Sequence, residues 1–151
     1  MTGSENSEIG TPPHPGMVWV PGGTYTMGSE NHYPEERPVG PVTVDGFWMD
    51  ETAVTNRQFA EFVDATGYVT TAEKAPDPAM YPGADPKMLV PGSITFQKPP
   101  GPVDLSNPMK WWVWTPGANW RHPLGPRSGI RNREEHPVLQ VTFEDADAYA
   151  R

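Results

Sequence analysis

The side chains most able to hold a ligand lie between Trp111 and His122, in the run Trp-Trp-Val-Trp-Thr-Pro-Gly-Ala-Asn-Trp-Arg-His. Four of the six tryptophans fall there. Each Trp must bury most of its rings and find an acceptor for its indole N–H, so a solvated loop would not carry this much aromatic area. Trp111 and Trp112 are adjacent, and neighbours in an extended segment face opposite ways. One reading sends one ring into the core and sets the other on the wall of a ligand groove. The other sends both into the core, the commoner fate of aromatic residues. Trp111 and Trp112 are therefore the candidate substrate-binding residues.

Asn119, Trp120, Arg121 and His122 fit a polar network bracing such a groove, or a structural turn whose polar groups satisfy the loop. His122 and His136 both precede proline, and neither has a carboxylate at a ligand spacing; His14 lies near the start of the chain. Glu144, Asp145 and Asp147 resemble a cation site, but first-turn acids that complement a helix dipole explain them as well. Gly22-Gly23 lacks the following Lys-Ser/Thr of a phosphate loop. No residue is a candidate catalytic group or metal ligand.

The elements that must position these residues are short. Residues 1–16 read as a flexible leader, and residues 17–151 as one stretch of domain. Met17–Val20 reads as a strand closed by the Pro21-Gly22-Gly23 turn, with Thr24–Met27 as its hairpin partner. Val42–Val44 and Phe47–Met49 flank Asp45-Gly46, a strong hairpin dipeptide. Thr55 with Gln58 predicts a capping box, Phe59, Phe62 and Val63 an apolar helix face, and Gly67 the helix end. The proline-dense stretch 74–108 shows no convincing period. Pro137–Val141 reads as a strand, and Thr142 with Asp145 caps a second helix, where Ala146, Tyr149 and Ala150 are expected to pack one face against residues not present in this chain. That helix has no glycine or proline stop, so the chain reads as truncated inside an element.

Composition bounds the function. The chain has 151 residues, 36% of them apolar, with 20 prolines and 15 glycines. This predicts a loop-rich domain with few helices. A net charge of −8 with no basic stripe argues against nucleic acid as a partner. With no cysteine, the chain itself offers no disulfide, thiolate metal site or cysteine nucleophile. The first residues lack the basic and apolar regions of a signal peptide, and no apolar run has membrane-spanning length.

Several phrases carry a resemblance to a known family. Val20-Pro-Gly-Gly-Thr-Tyr-Thr-Met-Gly28, Phe47-Trp-Met-Asp50, Val54-Thr-Asn56, Thr66-Gly-Tyr68 and Ala72-Glu-Lys74 precede Trp111-Trp112. Gly117-Ala-Asn-Trp-Arg-His-Pro123, His136-Pro-Val-Leu139 and the pairs Asp145-Ala146 and Ala148-Tyr149 follow. Together they resemble the formylglycine-generating enzyme, or sulfatase-modifying factor, family, with the match running from about Met17 to the last residue. The resemblance implies an α+β, C-type-lectin-like fold with short strands, few helices and much irregular loop, incomplete at its C-terminus. It implies an oxidase that turns a cysteine of a sulfatase Cys-x-Pro/Ala-x-Arg segment into formylglycine using oxygen, with a sulfatase polypeptide as partner. It also implies copper held by two cysteines, and structural calcium, in the complete domain.

Those ligands belong to a later part of the family domain, so no catalytic or metal residue carries over to any position here. Ala150 stands where secretory members of the family have a disulfide cysteine, which points to a reducing, bacterial cytoplasm. The alternatives are a non-catalytic lectin-like binding module of the same superfamily and a part of a thiohistidine sulfoxide synthase.

Overall fold

A computed structural model describes residues 10–151; residues 1–9, most of the expected leader, lie outside the described residues. The chain groups into two compact units, one ending at Ala53 and one spanning Val54–Arg151.

The first unit holds β1 (Met17–Val20), β2 (Gly23–Met27), β3 (Gly40–Val44) and β4 (Phe47–Asp50). The two hairpins that the sequence predicts do not form. Instead β1 pairs with β4, Met17 opposite Asp50, and β2 pairs with β3, Gly23 opposite Val44 and Met27 opposite Gly40. Both ladders run in one register, so the strands are two halves of a single long ribbon closed by residues 28–39. The glycine dipeptides are close-approach points rather than turns. A Cβ on Gly22 would meet the Gly46 nitrogen at 2.7 Å and the Val44 oxygen at 2.8 Å, and a Cβ on Gly46 would run into the Trp19 ring. Trp19 in turn packs edge-on against its cross-strand partner Trp48, 5.4 Å away. Glycine is needed there for lack of a side chain, not for a turn.

The second unit contains α1 (Asn56–Thr66), β5 (Gly92–Phe96), β6 (Trp112–Pro116) and α2 (Phe143–Ala150). Helix α1 begins and ends as its sequence dictates. Thr55 Oγ1 accepts from the Gln58 N–H, Gln58 Oε1 accepts from the Thr55 N–H at 2.8 Å, and Gly67 takes the left-handed conformation at φ 68°. Its apolar face buries Phe59 and Val63 against Trp120, with Phe62, Val138, Val141 and Tyr149 around them. Full burial of each such side chain stabilises by about 1.5–3 kcal/mol.

Helix α2 starts with a second capping box, Thr142 with Asp145. Ala146, Tyr149 and Ala150 stand at i, i+3 and i+4 on one face of this helix. Tyr149 packs against Phe59 and Phe62, while Ala146 and Ala150 are exposed. The strand expected at 137–141 is absent. Pro137 makes one isolated bridge to Thr55, and Gln140 sits at φ +61°, which no strand accommodates. In the proline-dense stretch, by contrast, β5 forms and pairs antiparallel with β6 over Gly92–Phe96 and Trp112–Pro116. The architecture is thus α+β, with short antiparallel strands, two helices and much irregular loop among the described residues. No described helix is long and apolar enough to cross a membrane.

Candidate functional site

Pairing β5 with β6 puts Ile94 opposite Trp114 and Phe96 opposite Trp112. Alternation along both strands gathers these four on one sheet face. The other face carries Thr95, which is buried and shares a hydrogen bond of 2.7 Å with Thr115. Phe96 and Trp112 meet edge-on at 5.6 Å, yet they are 54% and 42% exposed. Trp111 departs from the expected alternation. It closes a 3-10 turn at φ −131°, ψ −12°, outside the extended region, so the strand pattern begins at Trp112.

Beside this face lies a cleft of about 670 Å³, a volume typical of ligand sites. Ile94 and Trp114 form part of its wall, with Met80 and Tyr81 from the loop after α1 and Gly92, Ser93 and Gln140 at its rim. Trp111 and Trp112 do not line the cleft itself. Trp114, which does line it, shares the sheet face of Trp112; period-two counting from Trp112 would have found it.

A polar scaffold holds the cleft. Asp145 is fully buried. Its Oδ1 accepts from the Tyr68 hydroxyl at 3.0 Å and from the Thr71 N–H at 3.0 Å, and its Oδ2 accepts from the Thr142 N–H at 2.8 Å. Burial by itself would push this carboxyl up. The hydrogen bonds from the Thr142 and Thr71 backbone, then from Tyr68 and the Thr142 hydroxyl, outweigh burial and hold it below the usual range. Tyr68 is pushed up, first by desolvation and then by its bond to Asp145. Thr71 and Thr142, bound by one carboxylate, both line the cleft, and their hydroxyls meet at 3.1 Å. Of the acids at 144–147, Asp145 serves as the cap. Asp147 pairs with Arg151 at 2.6 Å, and no three His, Cys, Asp or Glu cluster among the described residues in a way that could hold a metal.

The Asn119–His122 phrase is a turn. Asn119 Oδ1 accepts from the Arg121 N–H at 2.9 Å and the His122 N–H at 3.0 Å. His122 Nδ1 lies 2.6 Å from the Ser128 carbonyl, which can only accept, so that nitrogen carries the proton. Arg121 stacks on the Trp120 ring, 4.1 Å from its centroid, and pairs with Glu73 at 3.0 Å. Glu73 Oε2 accepts from Thr70, both N–H and hydroxyl, which ties the turn to the segment that enters the cleft.

Comparison with known proteins agrees with this architecture. The model of the sulfatase-modifying factor enzyme 1-like domain matches residues 4–151. The chain is 54% identical over 135 residues to the formylglycine-generating enzyme of Mycobacterium tuberculosis, covering 89% of this chain and 45% of that relative. It is 42% identical over 136 residues to the Mus musculus formylglycine-generating enzyme, covering 88% and 34%. It is also 35% identical over 144 residues to the inactive C-alpha-formylglycine-generating enzyme 2 of Mus musculus, covering 94% and 45%. The chain spans less than half the length of these relatives. With the family model matched over nearly its whole length, the chain belongs to the sulfatase-modifying factor enzyme 1-like family.

Proposed function

We propose that this chain is the N-terminal part of a formylglycine-generating oxidase, and that it supplies a peptide-holding wall rather than the chemistry. The substrate of the whole enzyme is a cysteine in a sulfatase Cys-x-Pro/Ala-x-Arg segment, with oxygen as oxidant. The observation that carries the reading is the cleft beside the β5–β6 aromatic face. It is open and apolar-walled, and among the described residues β5 pairs with β6 alone, so an extended peptide can add along its edge while side chains dock on the rings. Trp112 extends that wall through its exposed ring, and Trp111, in the turn that precedes β6, flanks it. The setting we propose is a reducing bacterial cytoplasm.

The complete family domain implies copper and calcium. Copper(I) takes soft thiolate ligands, and this chain has no cysteine. No carboxylate cluster is present for calcium among the described residues. The residues here fit neither ion, so no step of the reaction runs through one in this chain. The relative named as inactive supports a second reading, a module that binds peptide without oxidising it.

The test is a titration of this chain with a fluorescent Cys-x-Pro-x-Arg peptide, followed by incubation with copper and oxygen and mass spectrometry of the peptide. Saturable binding, lost when the peptide is scrambled, is expected. No aldehyde should form, because a wall without thiolate or metal does not supply that chemistry. Absence of binding at about 1 mM peptide, where even ~4 kcal/mol of affinity registers, overturns the reading, as does oxidation by this chain alone.

A further inference from the structure

We propose that Gln140 is a positioning residue of the cleft, a clasp that fixes the β5 edge for a bound peptide; this rests on the peptide reading of the same cleft. Two independent observations meet at this residue. Its backbone sits at φ +61°, a region that residues with a side chain rarely enter outside Asn and Asp. Its side chain is anchored at both ends. Oε1 accepts from the Ser93 hydroxyl at 2.5 Å, and Nε2 donates to the Pro123 carbonyl at 2.9 Å. These partners fix the amide orientation, since a flipped amide would set oxygen against the Pro123 oxygen.

The anchors join segments far apart in sequence. Ser93 is on β5, Pro123 is buried in the Asn119–Ser128 turn, and Gln140 stands two residues before the α2 cap. Gln140, Val141 and Thr142 all line the cleft, so the segment runs along it between two fixed ends. At one end Gln140 grips Ser93 and Pro123. At the other, Thr142 donates its N–H to Asp145. Strained backbone persists only where its surroundings over-determine it, and it concentrates at ligand clamps. The clasp holds the unpaired edge of β5 at a set distance from the Gln140–Thr142 segment. A peptide strand then meets a preformed slot instead of ordering one as it binds.

Three proteins test this: the 151-residue chain, Gln140→Gly and Ser93→Ala. Glycine adopts the same φ freely but removes both anchors. Ser93→Ala removes one anchor and leaves the strained backbone in place, so it folds even if the glycine variant does not. The readouts are the Kd for a Cys-x-Pro-x-Arg peptide, the melting temperature, and hydrogen exchange across Gly92–Ile94 without peptide. For Gln140→Gly we expect an unchanged or higher melting temperature, faster exchange at the β5 edge, and binding about five- to tenfold weaker as the population of ready clefts falls. Ser93→Ala should weaken binding by a smaller factor. A purely structural Gln140 would instead lower the melting temperature and leave Kd unmoved. If the wild-type chain binds and both variants bind equally well, the clasp is refuted and the peptide reading stands. If the wild-type chain does not bind, the peptide reading fails and takes the clasp with it.

Discussion

Phe59, Phe62, Trp120 and Tyr149 pack ring against ring, with centroids 5.2 to 6.0 Å apart, whereas Phe96 and Trp112 meet each other and leave much of both rings in solvent. The two clusters belong to the same unit and are built from the same residue types. They differ in how many elements surround them. Around Phe59, α1, α2 and the turn at Trp120 close in from several sides. The β5–β6 face borders the cleft through Ile94 and Trp114 and leaves Phe96 and Trp112 largely in solvent. The sheet is even inverted with respect to common practice: Thr95 is 3% exposed on one face while Phe96 is 54% exposed on the other. Half-solvated antiparallel sheets normally put their polar residues outward. An aromatic face kept outward beside a cleft is suited to receiving something, and a closed aromatic cluster is suited to holding the fold.

The largest effect should come from breaking the closed cluster. Phe59→Ala removes a side chain that is 1% exposed and touches three other rings. It should destabilise by roughly 3–5 kcal/mol in chemical denaturation. Phe62→Ala, at a half-buried position, should cost clearly less. Equal costs at the two sites would mean that α1 is not oriented as described.

Next comes the polar scaffold between the two regions. Asp145→Ala leaves the Thr71 and Thr142 N–H groups without their acceptor in a buried setting, and should cost roughly 2–3 kcal/mol. The same carboxylate sets an acid limit. Its folded pKa is depressed, so its contribution is complete above the unfolded carboxyl value of about 3.9 and is lost as pH falls through the folded value. Melting temperature should therefore show no Asp145-dependent change from pH 7 to 5 and should fall below about pH 4. The acid drop should be smaller in Asp145→Ala; an identical drop in both proteins would remove Asp145 from this role.

The sequence foretold the local elements more faithfully than their partners. Both helix caps were readable because Thr55 with Gln58 and Thr142 with Asp145 are contacts three residues apart. The family, too, was legible in the Gly117–Pro123 phrase. Pairing in the first unit was not, because a glycine dipeptide reads as a turn unless one knows that the Trp19 ring lies against Gly46. Strand β5 was masked by the surrounding prolines, although Ser93, Ile94, Thr95 and Phe96 alternate as a strand should. The cleft needed Thr71, Ser93, Trp114 and Gln140 brought together across long separations, and no local pattern carries that.

The smallest stability effect, and the sharpest test of the comparison, belongs to Trp112. Trp112 is 42% exposed, and it packs edge-on against Phe96, itself more than half exposed. Trp112→Ala gives up an edge-to-face contact worth about 0.5–1.5 kcal/mol beyond area, but it also removes an apolar ring from water. The net cost should stay within about 1 kcal/mol, as for most exposed substitutions. A substitution of similar size at Trp120, which is 2% exposed, should cost several times more. If the open face exists to receive a peptide, Trp112→Ala should still weaken binding of the Cys-x-Pro-x-Arg peptide several-fold, because aromatic anchors dominate such contacts. Denaturation and titration of this one variant therefore separate the two regions. Low cost with weakened binding marks a receiving face, and low cost with unchanged binding removes Trp112 from the peptide wall. A cost like that of Trp120 would place Trp112 in the core and dissolve the contrast.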